Sequence, residues 1–258
     1  MALTFDAGVV VGLGISATIA IGAPLALMFV LAKRFDAPLA AFGWGALTFV
    51  VSQFVLRLPW QIPLNAYLVK HYGQDQAVMV AWLAVSALTA GIFEEGGRAL
   101  AYRYVWKQRT TIGGVALGVG HGGIESIVLI GLSIASSLVI YVALANGLTL
   151  GFAPEVLTKI DAQFAKLDFG TSLLGGVERI AALMLHTGCS LLVLEFARGR
   201  GVKWLLLSIA THASLNGLVM ALVKLTGPWP AELALVALSA TVLGLALRHS
   251  SKQELQRR

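Results

Sequence analysis

The sequence predicts an all-α fold: a polytopic bundle of about seven transmembrane helices, N-terminus outside and C-terminus inside. Three observations predict it. Hydrophobic residues make up 57% of the 258 positions and charged residues 12%, about half the charged share of a soluble domain. Apolar runs of about 20 residues, the length that crosses hydrocarbon, recur along the chain. Lysines and arginines gather in alternate connections, as they do when one set of loops is cytoplasmic.

The first run is 8–32. MALTFDAGVV has no basic n-region and Lys33-Arg34 follow the run, so it reads as a retained helix and not a cleaved signal peptide. The second run, 38–57, precedes Trp60, Tyr67 and Tyr72, aromatics suited to the headgroup region; 60–75 is therefore expected as an interfacial connection. The third is 77–103. The fourth, 112–146, is too long for a simple span and carries Gly113, Gly114, Gly118, Gly120, Gly122, Gly123 and Gly131. It is either one long tilted helix or a helix broken near the glycines. Those small residues either let helix backbones approach or open room beside His121. Segment 153–168 puts Val156, Ile160, Phe164 and Leu167 on one face, with Lys159, Asp161 and Lys166 elsewhere, the pattern of an amphipathic helix lying on the membrane. Runs 171–197, 203–224 and 230–248 complete a single transmembrane domain, 1–258.

The formal net charge of +6 raises nucleic acid as a partner, but the distribution points to lipid. With the N-terminus outside, Lys33, Arg34, Arg103, Lys107, Arg109, Arg198, Arg200, Lys203, Arg248, Lys252, Arg257 and Arg258 fall inside. Arg57, Lys70, Lys159, Lys166 and Lys224 fall outside. The expected location is a bacterial inner membrane, crossed several times. The single cysteine, Cys189, excludes a disulfide framework and a thiolate zinc site within one chain; it reads as a small packing residue.

Ionisable residues inside the spans carry the functional signal, because charge in hydrocarbon is costly and usually faces a cavity. Glu94 lies nine residues before Arg103, His121 twelve after Arg109, His186 twelve before Arg198, and His212 nine after Lys203. At 1.5 Å per residue these are ~14, ~18, ~18 and ~14 Å from the basic surface, one layer from four helices, contributed by 90–220. Three of the five histidines are in it; His71 and His249 are not. Arg98 follows Glu94 and Glu95 at helical spacing, Glu125 follows His121 by four, and Asn216 follows His212 by four, so each pair shares a face. Glu178 and Arg179 lie near the outer end of their helix and read as a structural pair outside the layer. Taken singly, a membrane histidine serves as well in interhelical hydrogen bonding as in metal binding, and an asparagine is usually interhelical glue.

Imidazole and carboxylate suit zinc, and a catalytic zinc site takes three protein ligands. His121, His186 and His212 are candidate ligands, with Glu125 able to replace one. Glu94 or Glu95 is the candidate base, held by Arg98, and Asn216 a candidate oxyanion donor. Water would reach this layer through a cavity open to the cytoplasm. HExxH and GxSxG are absent, and Asp6, Asp36, Asp75, Asp161 and Asp168 lie in loops or at span ends, which excludes an intramembrane aspartate pair.

EEGGR, then GHGGIE, then a lone helix histidine, then HASLN, in that order, resembles the YhfC family of intramembrane metalloproteases. That family is related to the type II CAAX prenyl endopeptidases, the PrsW proteases and the seven-helix scaffold subunit of γ-secretase. The CAAX-type pattern is EExxxR, a helix histidine, then HxxxN; here only two glycines separate EE from the arginine, which is the YhfC-like or PrsW-like spacing. HGGIE is similar to the HxxxE element of PrsW. The resemblance covers roughly 90–220. It implies a membrane-embedded peptidase acting at the cytoplasmic side on a peptide or membrane-protein substrate, with the base on Glu94 or Glu95 and His121, His212 and Asn216 in the site. Two rivals remain from the residues alone: a non-catalytic scaffold whose polar layer holds helices together, and a proton- or metal-coupled transporter, which the absence of an internal repeat disfavours.

Overall fold

A computed structural model describes residues 5–256. Among the described residues, seven long helices are apolar enough to cross a membrane: α1 (Ala7–Arg34), α2 (Leu39–Tyr72), α3 (Gln76–Val105), α4 (Thr111–Ala145), α6 (Phe169–Ala197), α7 (Lys203–Thr226) and α8 (Pro228–Leu255). A shorter α5 (Pro154–Phe164) connects α4 to α6. The chain is a multi-pass membrane protein.

Two elements differ from expectation or resolve it. Segment 60–75 is not a separate connection up to Tyr72: α2 runs on through it. Pro59 and Pro63 would ordinarily end a helix. Here a π-helical turn at Val51–Arg57 widens the helix just before Pro59, so the turn that proline would disrupt is already reorganised. The long fourth run is one helix, with a π-helical turn at Ser126–Gly131 and no break at the glycines. Gly45 and Gly120 show what the small residues do there. A Cβ on Gly45 would lie 2.0 Å from the Leu117 carbonyl, and one on Gly120 2.1 Å from the Phe42 carbonyl. Backbone meets backbone where α2 crosses α4. Gly122 opens room for a histidine other than the one expected: a Cβ there would lie 3.0 Å from the ring of His186, not of His121.

The centre of the bundle is α6, the most buried helix, packed against α1, α4, α7 and α8. Lipid gives apolar surfaces no reason to associate, so interhelical hydrogen bonds and small residues set the contacts. Ser16 Oγ donates to the Ser172 carbonyl at 2.6 Å, Ser126 Oγ to Ala20 at 2.7 Å, and Ser190 Oγ to Gly114 at 2.8 Å. These tie α1 to α6, α4 to α1, and α6 to α4. α6 starts at a capping box in which Asp168 accepts from the Thr171 amide at 2.7 Å. α5 lays Phe164 edge-on against Tyr141 at 5.2 Å, and with Leu167 it packs on Val9 and Leu13.

At the end of the bundle carrying the basic loops the centre is packed, although a cleft of about 540 Å³ bordered by Glu195, Trp204 and Lys252 opens beside it without reaching His121, His186 or His212. Ala37, Phe42, Ala99, Tyr102, Trp106, Leu117, Leu191 and Leu194 form one buried apolar cluster there. Above it Arg198 pairs with Glu195 at 2.6 Å and donates to the Arg109 carbonyl at 2.9 Å. The polar layer begins on the other side of this cluster.

Candidate metal centre

Each polar residue sits one or two turns beyond the apolar cluster on its own helix, which is why side chains from α2, α3, α4, α6 and α7 meet. Glu94, Glu95, Arg98, His121, His186 and His212 are all at most 3% exposed. The imidazole ring of His186 lies 5.2 Å from those of both His121 and His212.

Glu94 is the hub. Its Oε2 is 2.8 Å from His121 Nε2, 3.7 Å from His186 Nδ1, and 3.9 Å from both His212 Nε2 and Arg98 Nη2. Its Oε1 accepts from Gln53 Nε2. Glu95 faces away from this point. Its Oε1 accepts from Arg98 Nη1, without whose charge it would be costly at this depth, and from His212 Nδ1 at 2.8 Å; its Oε2 accepts from Ser208 at 2.8 Å. Adjacent helix residues point about 100° apart, and the surrounding partners decide which one faces the centre.

The outer nitrogen of each histidine has an acceptor or hydroxyl to hold it. For His212 it is Glu95. For His186, Nε2 sits 2.6 Å from Glu125 Oε2, a contact that only a proton between them makes favourable. For His121, Nδ1 meets Thr48 Oγ1 at 2.8 Å. Such partners fix the tautomer and aim the remaining lone pair, the arrangement that surrounds metal-bound histidines. Of the two nitrogens turned toward Glu94, His186 Nδ1 accepts from Arg98 Nη2 at 2.7 Å, and His212 Nε2 lies 3.9 Å from Glu94 Oε2. Among the described residues, one ligand atom each from Glu94, His186 and His212 lies within 4.8 Å of the others. Two imidazole nitrogens and a carboxylate oxygen fit a divalent metal such as zinc. A second set, Glu95, Cys189 and His212, satisfies the same spacing, but Arg98 and Ser208 already occupy Glu95. Cys189 is buried in the apolar contact between α6 and α8.

Of the four residues expected as ligands, the structure brings His186 and His212 into a donor group and places His121 and Glu125 around it. His121 reaches Glu94 by hydrogen bond, and Glu125 reaches His186. Glu94, expected as a base candidate, lies within the donor group. Asn216 lies one turn from His212 on α7.

A cavity of about 320 Å³ borders the centre. Glu94, Glu125, His186, His212 and Asn216 line it; Glu95 and His121 do not. Two residues were misplaced from sequence. Arg179, set aside as structural, lines the cavity and bonds Glu125 Oε1 at 3.2 Å while also pairing with Glu178. Arg57, assigned to an outer segment, is buried and lines it too, donating to Gln53 Oε1 at 2.8 Å and to the Ser86 carbonyl at 2.7 Å. Gln53, Thr48 and Ser208 had no signal in sequence, since neutral polar residues in spans are common. The cavity also runs the other way from expectation. It extends from the histidine layer away from the basic loops, because the basic side is packed with the apolar cluster.

A family model described as YhfC intramembrane metalloprotease matches residues 15–238. The chain belongs to the YhfC family. A protein titled uncharacterized membrane protein YhfC, from Bacillus subtilis strain 168, is 36% identical over 214 residues, covering 80% of this chain and 82% of that protein. No solved structure matches the chain. The YhfC family description supports a protease and implies a metal, in agreement with the donor group at Glu94, His186 and His212.

Proposed function

We propose that the protein is a metal-dependent endopeptidase that hydrolyses a peptide bond within the membrane. The single observation that carries this reading is the convergence on Glu94 Oε2 of two imidazole nitrogens, each with its far nitrogen held by a carboxylate, beside a cavity of ligand-binding size.

In this reading Glu94, His186 and His212 would hold a divalent metal, zinc by the chemistry of the donor set. A divalent metal there supplies Lewis-acid polarisation of a carbonyl and acidifies water. His121 orients Glu94 through Nε2, Gln53 holds the other oxygen, and Glu95 orients His212. Glu125 is the other site carboxylate on the cavity, with a side chain 17% exposed. It takes the proton from attacking water and returns it to the leaving nitrogen, steadied by Arg179. Asn216 offers an amide N–H toward the developing oxyanion. Arg98 keeps Glu95 charged and in place.

The test uses purified protein in detergent with labelled casein and a membrane-inserted helical peptide as probes. Hydrolysis stopped by a chelator, restored by zinc, and lost in His212→Ala and Glu125→Gln with unfolding temperatures retained is the expected result. Hydrolysis indifferent to chelator and to His212→Ala would overturn it.

A further inference from the structure

We infer that the centre is entered from the membrane face opposite the basic loops, and that its substrate is a peptide segment lying at that opposite face. The substrate half rests on the hydrolytic reading above; the direction of entry does not.

Every helix of the site shows the same order along its axis. Starting from the basic face, α6 presents Leu194 and Leu191 in the apolar cluster, then His186, then Ala182 and Arg179 on the cavity. On α3 the order is Tyr102, Glu94, Ser86. On α2 it is Phe42, Gln53, Arg57. Phe42 is 4% exposed and Tyr102, Leu191 and Leu194 are 0%; nothing the size of a peptide passes between such residues without unpacking them. Every lining residue of these three helices lies level with the histidine layer or beyond it.

The distance fits a route. From Glu94 to Leu83 is eleven residues of α3 and from His186 to Glu178 eight residues of α6, or ~16 Å and ~12 Å of cavity depth. That accommodates about four residues of extended chain at ~3.3 Å each. Charge placement agrees. Arg57 and Arg179 lie along this route at membrane depth, and the hydrogen-bond partners of Arg57 are the neutral Gln53, Ser86 and Thr89. A guanidinium at membrane depth with only neutral hydrogen-bond partners is favoured beside a water-filled cavity, which agrees with water entering from the end away from the basic loops. By the positive-inside rule the basic face is cytoplasmic. The substrate segment then lies on the external side, which separates this centre from one that trims cytoplasmic chain ends.

The experiment uses the full-length protein with Cys189→Ser as background. Single cysteines are placed in the cavity (Ser86→Cys), in the loop on the cavity side (Asn146→Cys) and in a basic-face loop (Val202→Cys). Spheroplasts and inverted vesicles are treated with a charged, membrane-impermeant methanethiosulfonate reagent. Ser86→Cys is expected to react in the preparation that labels Asn146→Cys and to stay unlabelled in the one that labels Val202→Cys. Labelling from the Val202 side, or from neither side, overturns the direction of entry. The second arm follows casein and helical-peptide hydrolysis by Ser86→Cys before and after modification. Loss of hydrolysis on modification supports this substrate path, and retained hydrolysis removes it. Absence of hydrolysis before modification instead sinks the peptidase reading and leaves the labelling result standing.

Discussion

Glu95→Gln separates a residue that orients a ligand from one that is a ligand. The Glu95 carboxylate accepts from Arg98 and His212 on one oxygen and from Ser208 on the other. A glutamine fits this space. Its amide oxygen takes the Oε1 place, and its NH2 faces Ser208, whose hydroxyl still has the Cys189 carbonyl at 3.1 Å as an acceptor. Shape is kept and charge is lost. The bond to His212 Nδ1 falls from charge-assisted to neutral, a difference of about 1 kcal/mol, and outer partners of metal ligands are generally worth about 10–100-fold in affinity. A zinc affinity about tenfold weaker, ~1.4 kcal/mol, is expected, measured by competition with a chromophoric chelator in detergent. Arg98 loses its closest counter-ion and keeps Glu94 at 3.9 Å. The unfolding temperature should therefore fall as well, by the equivalent of about 3 kcal/mol for a broken buried pair. Glu94→Gln should abolish tight binding altogether. Equal zinc affinity in wild type and Glu95→Gln, or a larger loss in Glu95→Gln than in Glu94→Gln, would refute the division of labour between the two glutamates.

His186→Ala and His212→Ala should purify without metal while His121→Ala keeps most of it, read by elemental analysis; equal loss in all three would place His121 among the ligands. Gly120→Ala and Gly45→Ala should destabilise the protein by about 1–3 kcal/mol or more from the α2–α4 overlap, whereas Gly96→Ala, with nothing within 4 Å of the added Cβ, should leave the thermal midpoint unchanged. Asp168→Ala should lower the midpoint at neutral pH. The Thr171 amide and hydroxyl hold the Asp168 carboxyl below its ordinary value of 3.8, so its stabilisation is full above the ordinary aspartate range and is lost as pH falls through the depressed value. Melting curves of wild type and variant should converge in acid; a constant gap down to the lowest pH would show that the cap acts without its charge.

Height along a helix is written in the sequence, and direction around it is not. Counting from Arg103, Arg109, Arg198 and Lys203 placed Glu94, His121, His186 and His212 in one layer, and the structure brings their side chains together. The same count put Arg57 and Arg179 near the far surface. It could not tell that both turn inward, because their inward direction depends on which helices pack beside them. The choice between Glu94 and Glu95 is of the same kind. The seven spans were legible from their apolar runs. The expectation of a connection at 60–75 came from Trp60, Tyr67 and Tyr72 alone, and aromatics suited to the headgroup region do not tell whether the helix continues through them, as α2 does after its π-helical turn. The side on which the cavity opens was invisible for a further reason. It depends on where apolar side chains from different helices interlock, and runs of Leu, Ala and Val look alike on both sides of the layer.

The donors and acceptors of the network also bear on whether this layer is a working centre or helix-to-helix glue. Glue alternates donor with acceptor, as Ser190 does with Gly114 and Ser126 with Ala20, and each such bond is complete in itself. Around Glu94 the alternation fails. With its Nδ1 N–H turned to Glu95, His212 presents its Nε2 lone pair to the Glu94 carboxylate at 3.9 Å, and His186 Nδ1 stands 3.7 Å from the same oxygen. At low dielectric such a grouping repels itself. Arg98 Nη2 relieves one lone pair, at 2.7 Å from His186 Nδ1, and lies 3.9 Å from Glu94; His212 Nε2 still awaits a positive partner. A cation seated among the three would relieve them together. A bundle needing cohesion alone would do better with more serine–carbonyl bonds, and it would have no use for a cavity lined by charged side chains alongside. The inner nitrogen of His212, held beside Glu94 with no hydrogen-bond donor of its own among the described contacts, is the physical ground on which we prefer the metal-centre reading to a scaffold.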